Sequence, residues 1–126
     1  MIKKVLIIDD DRWLAENYQL VLETAGWQVT LSETAAEAID VIDDLQPHIV
    51  LLDVMLPWSS AAALLNELQS HSDIASLPIV LCSSLDLSEL DPNDLAEYGV
   101  RQVIDKTIVT PDQIVNILTA AAHATA

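Results

Sequence analysis

Short aliphatic runs that end on an aspartate or a hydroxyl recur along this 126-residue chain, and they limit its fold more than any other feature. Lys4-Val5-Leu6-Ile7-Ile8 leads into Asp9, His48-Ile49-Val50-Leu51-Leu52 into Asp53, Pro78-Ile79-Val80-Leu81-Cys82 into Ser83, and the segment Val100 to Ile104 into Asp105. Runs that are apolar at successive positions belong to strands covered on both faces, as in a parallel sheet. Trp27 to Leu31 alternates instead and reads as a further short strand.

The intervening segments have helical period. Leu14, Tyr18, Val21, Leu22 and Ala25 share one face, with Glu16, Asn17, Gln19 and Glu23 opposite and Gly26 as the stop. Ala35, Ala38, Ile39, Ile42 and Leu45 form a second amphipathic helix, closed by Pro47. A loop through Pro57 leads to a third carrying Leu64, Leu65 and Leu68. Asp91-Pro92 and Thr110-Pro111 each pair an N-cap with a proline at the first helical position. They open a short helix to Tyr98, ended by Gly99, and a last one with Ile114, Ile117, Leu118 and Ala121 on one face.

Five strand–helix units in alternation imply parallel strands, right-handed crossovers and helices on both faces, a doubly wound α/β sheet. Ligands of such folds sit outside the carboxyl ends of the strands. The positions to read there are Asp9, Asp10, Asp11, Asp53, Ser83, Ser84, Asp105 and Lys106.

Composition narrows what these residues serve. At this length one domain spanning 1–126 is expected, burying about two-thirds of its unfolded surface. Apolar residues make up 52% of it against 2 Gly and 5 Pro, which excludes a disordered or low-complexity chain. No apolar run reaches the ~20 residues of a membrane span, and the single cysteine, Cys82, cannot close an internal disulfide, so a cytoplasmic protein is expected. Cys82 reads as buried core, and His48, His71 and His123 lack metal-ligand spacing. A net charge of -15 repels nucleic-acid backbones and anionic membranes, so neither is an expected direct partner.

Carboxylates gathered at one sheet edge repel one another unless a cation joins them. All-oxygen ligands favour magnesium, which keeps waters and welcomes a phosphate oxygen. A carboxylate is also a possible phosphoryl acceptor, given metal, cationic and hydroxyl partners on the transferring group. Lys106 and Ser83 have that chemistry.

With the acidic pair in Val5-Leu6-Ile7-Ile8-Asp9-Asp10-Asp11, the aspartate in Leu51-Leu52-Asp53-Val54-Met55-Leu56-Pro57, the hydroxyl in Pro78-Ile79-Val80-Leu81-Cys82-Ser83-Ser84 and the lysine in Gly99-Val100-Arg101-Gln102-Val103-Ile104-Asp105-Lys106, nearly the whole chain resembles the receiver domains of two-component response regulators. The resemblance implies a CheY-like, flavodoxin-like (βα)5 sandwich with strand order 2-1-3-4-5. It also implies that Asp53 is the phosphoacceptor, with magnesium held by Asp10 directly, Asp9 through water, Asp53, and the backbone carbonyl of Met55. Lys106 would hold a phosphoryl oxygen, Ser83 would move to bond the phosphoryl group, and the backbone N–H of Ser84 would cradle it. The implied partners are a sensor histidine kinase or phosphotransfer protein and a downstream protein. A homodimer through the face of the fourth helix, fifth strand and fifth helix is an open option. Apart from its own phosphotransfer and dephosphorylation, no enzyme activity is implied. Asp11, one past the matched pair, reads as a helix N-cap.

The chain departs from the family pattern at three positions. Val103 stands where many receivers carry an aromatic switch, Thr107 where a proline usually follows the lysine, and Ala61 where a glycine follows the loop proline. Met55 and Leu85, the positions flanking the site, are apolar and unable to orient a water, so slow self-dephosphorylation is expected. Trp13 and Trp58 are candidate reporters of the site. Two rival readings remain. One is a pseudo-receiver binding module. The other is a haloacid-dehalogenase-like phosphohydrolase, suggested by the Asp-x-Asp spacing of Asp9 to Asp11 but lacking the further C-terminal acidic motifs. The last residues, Ala120 to Ala126, carry no DNA-binding signature, consistent with a stand-alone regulator or a piece of a longer chain.

Overall fold

The computed structural model describes residues 3–54, 65–66, 77–83, 100–105 and 109–123, without the side chains of Ala35, Asp43, Asp53, Val54, Ser83, Arg101 and His123. Its elements are β1 (Lys4–Asp9), α1 (Arg12–Thr24), β2 (Gln28–Ser32), α2 (Ala35–Leu45), β3 (Ile49–Val54), β4 (Ile79–Ser83), β5 (Val100–Asp105) and α3 (Pro111–His123). The five strands form one all-parallel sheet in the order β2-β1-β3-β4-β5. This is the expected doubly wound arrangement. Leu65 and Asn66 are helical and Leu65 is buried, but the rest of the expected third helix and the whole helix after Asp91-Pro92 lie outside the described residues.

Alternation along the central strands splits the core into two layers. Leu6, Ile8, Val50, Leu52, Ile79 and Leu81 pack with Ala38 and Ile42 of α2 and with Leu65. Val5, Ile7, Ile49, Leu51, Val80 and Cys82 pack with Ala15, Tyr18 and Leu22 of α1 and Ile114, Leu118 and Ala121 of α3. Each central strand is thus buried on both faces, which is why its sequence is apolar without a break. Cys82 is fully buried core.

Local chemistry sets the helix ends. Asp11 caps α1 by accepting the Leu14 N–H at 3.2 Å. At its other end Trp27 N–H donates to Leu22 O and Gly26 N–H to Glu23 O, with Gly26 at φ 97°, a Schellman closure. That closure draws Trp27 out of the strand in which its sequence placed it, and β2 starts at Gln28. Thr34 caps α2 and Thr110 caps α3; Thr110 and Gln113 exchange two side chain–backbone bonds in a capping box, with Pro111 next in line. α2 ends at Leu45, the last residue of the expected helix, and Gln46, in the left-handed region at φ 49°, closes it just ahead of Pro47.

Between Ile79 and Val80 the β4–β5 register shifts, since Ile79 faces Val100 while Val80 faces Gln102. Arg101 is the extra residue of a bulge. Beyond it the alternation of β5 changes sides. Val103 lies beside Leu81 in the α2 layer, and Ile104 lies beside Cys82 in the α1–α3 layer.

Candidate functional site

Four strands end together at the carboxyl edge. The register places Asp9 beside Asp53, Asp53 beside Cys82, Val54 beside Ser83, and Ser83 beside Asp105. Neighbouring strands lie about 4.8 Å apart, so Asp9, Asp53, Ser83 and Asp105 form a row along one edge. Each of β1, β3, β4 and β5 continues at least one residue past its apolar run, carrying the edge residue within the strand.

Asp9 is buried, at 2% exposure, while Asp10 and Asp105 are exposed. The Asp9 carboxylate is held in place by the turn into α1: Asp11 N–H donates to Asp9 Oδ1 at 2.8 Å. The same Asp11 caps the helix through its side chain, so one residue joins the buried acid to the helix start. Its role is the expected cap. The second oxygen of Asp9, Oδ2, is also buried. A buried carboxylate next to further acids on the same edge is costly unless charge is neutralised there.

The donors gathered here are oxygens, the ligand type of hard divalent cations. Among the described side chains no cluster of three metal-ligating groups occurs; those of the expected set are Asp9 and Asp10, while Asp53 is described by its backbone alone. Met55, Ser84 and Lys106, together with the side chain of Ser83, lie outside the described residues, as do Trp58, Ala61, Leu85 and Thr107.

Two features were not read from the sequence. A cleft of about 250 Å³ opens beside Asp9, lined by Asp9, Arg12, Ala15, Leu31, Glu33 and Glu37. Arg12 spans it, with Nε 3.2 Å from Glu16 Oε1 and Nη1 3.9 Å from Glu33 Oε1. A wider cleft of about 450 Å³ lies between β5 and α3, with Val103, Ile104, Val109 and Ile117 among its walls. Neither had a local signal, because each joins elements distant in sequence. Trp13, a candidate reporter, is 73% exposed on α1. His48 sits at the opposite end of the sheet, where its Nδ1 accepts the Lys4 N–H at 2.9 Å.

Comparison with known proteins agrees with this architecture. The chain is similar in structure to a CheY-like response regulator receiver domain protein from Methanospirillum hungatei JF-1 (TM-score 0.82, 21% identity, 99% of this chain and 97% of that one). It is also similar to a sensor protein from Polaromonas sp. JS666 (0.82, 22%, 98% and 98%). A third likeness is to the signal receiver domain of a signal transduction histidine kinase from Syntrophus aciditrophicus (0.75, 23%, 97% and 91%). At these identities the likeness establishes the fold. Among the described residues no helix is long and apolar enough to cross a membrane. The family model of the response regulator receiver domain matches residues 5–119, and the chain belongs to that family of signalling modules.

Proposed function

We propose that this receiver is a phosphoacceptor of a two-component phosphorelay, with Asp53 as the modified residue and Mg2+ as its cofactor. The observation that carries the reading is the register that sets Asp53 beside the buried Asp9, with Ser83 and Asp105 at the next two strand ends. The donor chemistry fits the ion. Asp9, Asp10, Asp53 and the carbonyl of Met55 supply oxygens alone, and Mg2+ keeps its remaining positions for water and phosphate. When bound, the ion neutralises charge on the edge carboxylates and on the transferring group.

A carboxylate oxygen of Asp53 attacks phosphorus; the bond from phosphorus to the donor breaks, and its electron pair leaves with the donor, the imidazole of a phosphohistidine or the carboxylate of an acyl phosphate. Lys106 holds an equatorial oxygen of the transferring group, the Ser84 N–H cradles another, and the Ser83 hydroxyl bonds the phosphoryl group once it has arrived. Hydrolysis is slow because Met55 and Leu85 present no group that orients a water.

The donor is a sensor histidine kinase or a phosphotransfer protein. Output passes through protein contact from a single domain of residues 1–126, in keeping with a cytoplasmic acidic protein that repels nucleic acid. The face including β5 and α3 is the expected partner or dimer surface.

Incubation with acetyl phosphate and Mg2+, followed by intact mass, tests the reading. One added phosphate in the parent and none in Asp53→Asn is the expected result. An unmodified parent leaves a pseudo-receiver, and rapid turnover of phosphate esters points to a hydrolase.

A further inference from the structure

The chain has five basic residues: Lys3, Lys4, Arg12, Arg101 and Lys106. Lys3 and Lys4 stand at the amino end of β1, and Arg101 follows the first residue of β5 at that same end. Among the described side chains, Arg12 is the cation at the carboxyl edge. It opens α1 two residues after Asp10 and shares with buried Asp9 the walls of one cleft. Its guanidinium reaches across that cleft from α1 to the segment between β2 and α2, meeting Glu33 at 3.9 Å and Glu16 at 3.2 Å. Glu37, on the same wall, is occupied by the Glu33 N–H at 3.0 Å.

Stability does not explain this placement. Both ion pairs are largely in solvent, with the Arg12 side chain 74% exposed, and pairs of that kind contribute little to folding. The position does matter electrostatically. A phosphodonor brings negative charge to an edge already lined by Asp9, Asp10, Asp11 and Asp105, in a chain of net charge -15. A positive charge on the wall of the cleft that Asp9 also lines acts on the two ligands of the reaction with opposite signs, attracting the anionic donor and repelling the divalent cation.

We propose that Arg12 is a specificity-determining residue of the phosphoryl-transfer edge, an internal cation that favours anionic phosphodonors at the expense of Mg2+ affinity. The inference rests on the phosphoacceptor reading of Asp53. Glu16, 3.2 Å from Nε, is the positioning residue that holds the guanidinium, while Glu33, at 3.9 Å on the cleft wall, is a negative charge that Arg12 offsets.

The test uses the full chain and three variants: Arg12→Gln, Arg12→Lys and Glu33→Gln. Calorimetric titration with Mg2+ alone reads the cation, and the rate of phosphate incorporation against acetyl phosphate concentration at saturating Mg2+ reads the donor. For Arg12→Gln, Mg2+ affinity rises by about two- to three-fold, and the half-saturating acetyl phosphate concentration rises by a similar factor with an unchanged limiting rate. Arg12→Lys keeps both values near the parent, and Glu33→Gln moves both in the opposite direction to Arg12→Gln. High salt shrinks all the differences. A merely structural role would move both ligands the same way or neither, and either outcome overturns the proposal. A parent that takes up no phosphate refutes the phosphoacceptor reading instead, so the two failures are distinct.

Discussion

The two ends of the sheet use their polar groups in opposite ways. At the amino end polar groups close on one another: Gln28 N–H bonds Lys3 O at 2.8 Å, His48 N–H bonds Lys4 O at 2.9 Å, and the Lys4 N–H returns to His48 Nδ1. Lys4 Nζ bonds the carbonyl of Leu45 at 3.3 Å, and Lys3 lies over the Trp27 ring, 5.7 Å from its centroid. At the carboxyl end acids gather instead: β1 and β5 stop on Asp9 and Asp105, Asp53 stands beside Asp9 one residue before the end of β3, and Asp10 and Asp11 follow at the same edge. One end is closed by its own hydrogen bonds, while the other gathers carboxylates. A fold can carry such an edge because the layers behind it are fully buried.

The largest expected break in this contrast is Asp9→Asn. The amide still accepts the Asp11 N–H, so the turn survives while a buried charge is lost. The stabilisation that Mg2+ gives the parent in chemical denaturation disappears in the variant. If the parent and Asp9→Asn respond equally to Mg2+, Asp9 has no part in a metal site. At the other end, His48→Ala leaves the Lys4 N–H without its acceptor and costs about 1–2 kcal/mol. Calorimetric Mg2+ affinity should not change; if it does, the two ends are coupled. The smallest effect belongs to Gln46→Gly, which relieves the left-handed residue closing α2 and gains under about 1 kcal/mol in thermal unfolding. A loss there would mean that the Gln46 side chain does more than its backbone.

Much of the frame was legible because its signals are local. Unbroken apolar runs identified β1, β3 and β4, and Asp11 and Thr110-Pro111 marked helix starts through bonds to the residue three positions on. What the sequence did not show depends on turn geometry and on contacts between separate elements. Trp27 looks like a strand residue by type, yet its N–H closes the Schellman turn and its ring joins the α1–α3 layer. Gln46 carries no sequence mark of a left-handed cap. The Arg12–Glu33 pair needs the spacing of α1 from the end of β2, which no local pattern contains.

The sequence by itself determined that aspartates would stand where strands end, since hydrophobic runs define strands and parallel crossovers bring like ends to one edge. Only the tertiary structure decided how those ends align. Asp9 faces Asp53 because β1 and β3 pair in that register, and Val103 lies in the α2 layer because the extra residue Arg101 reverses the alternation of β5. Register and bulge are set by packing between strands far apart in the chain, where a shift of one residue would turn every following side chain to the other face.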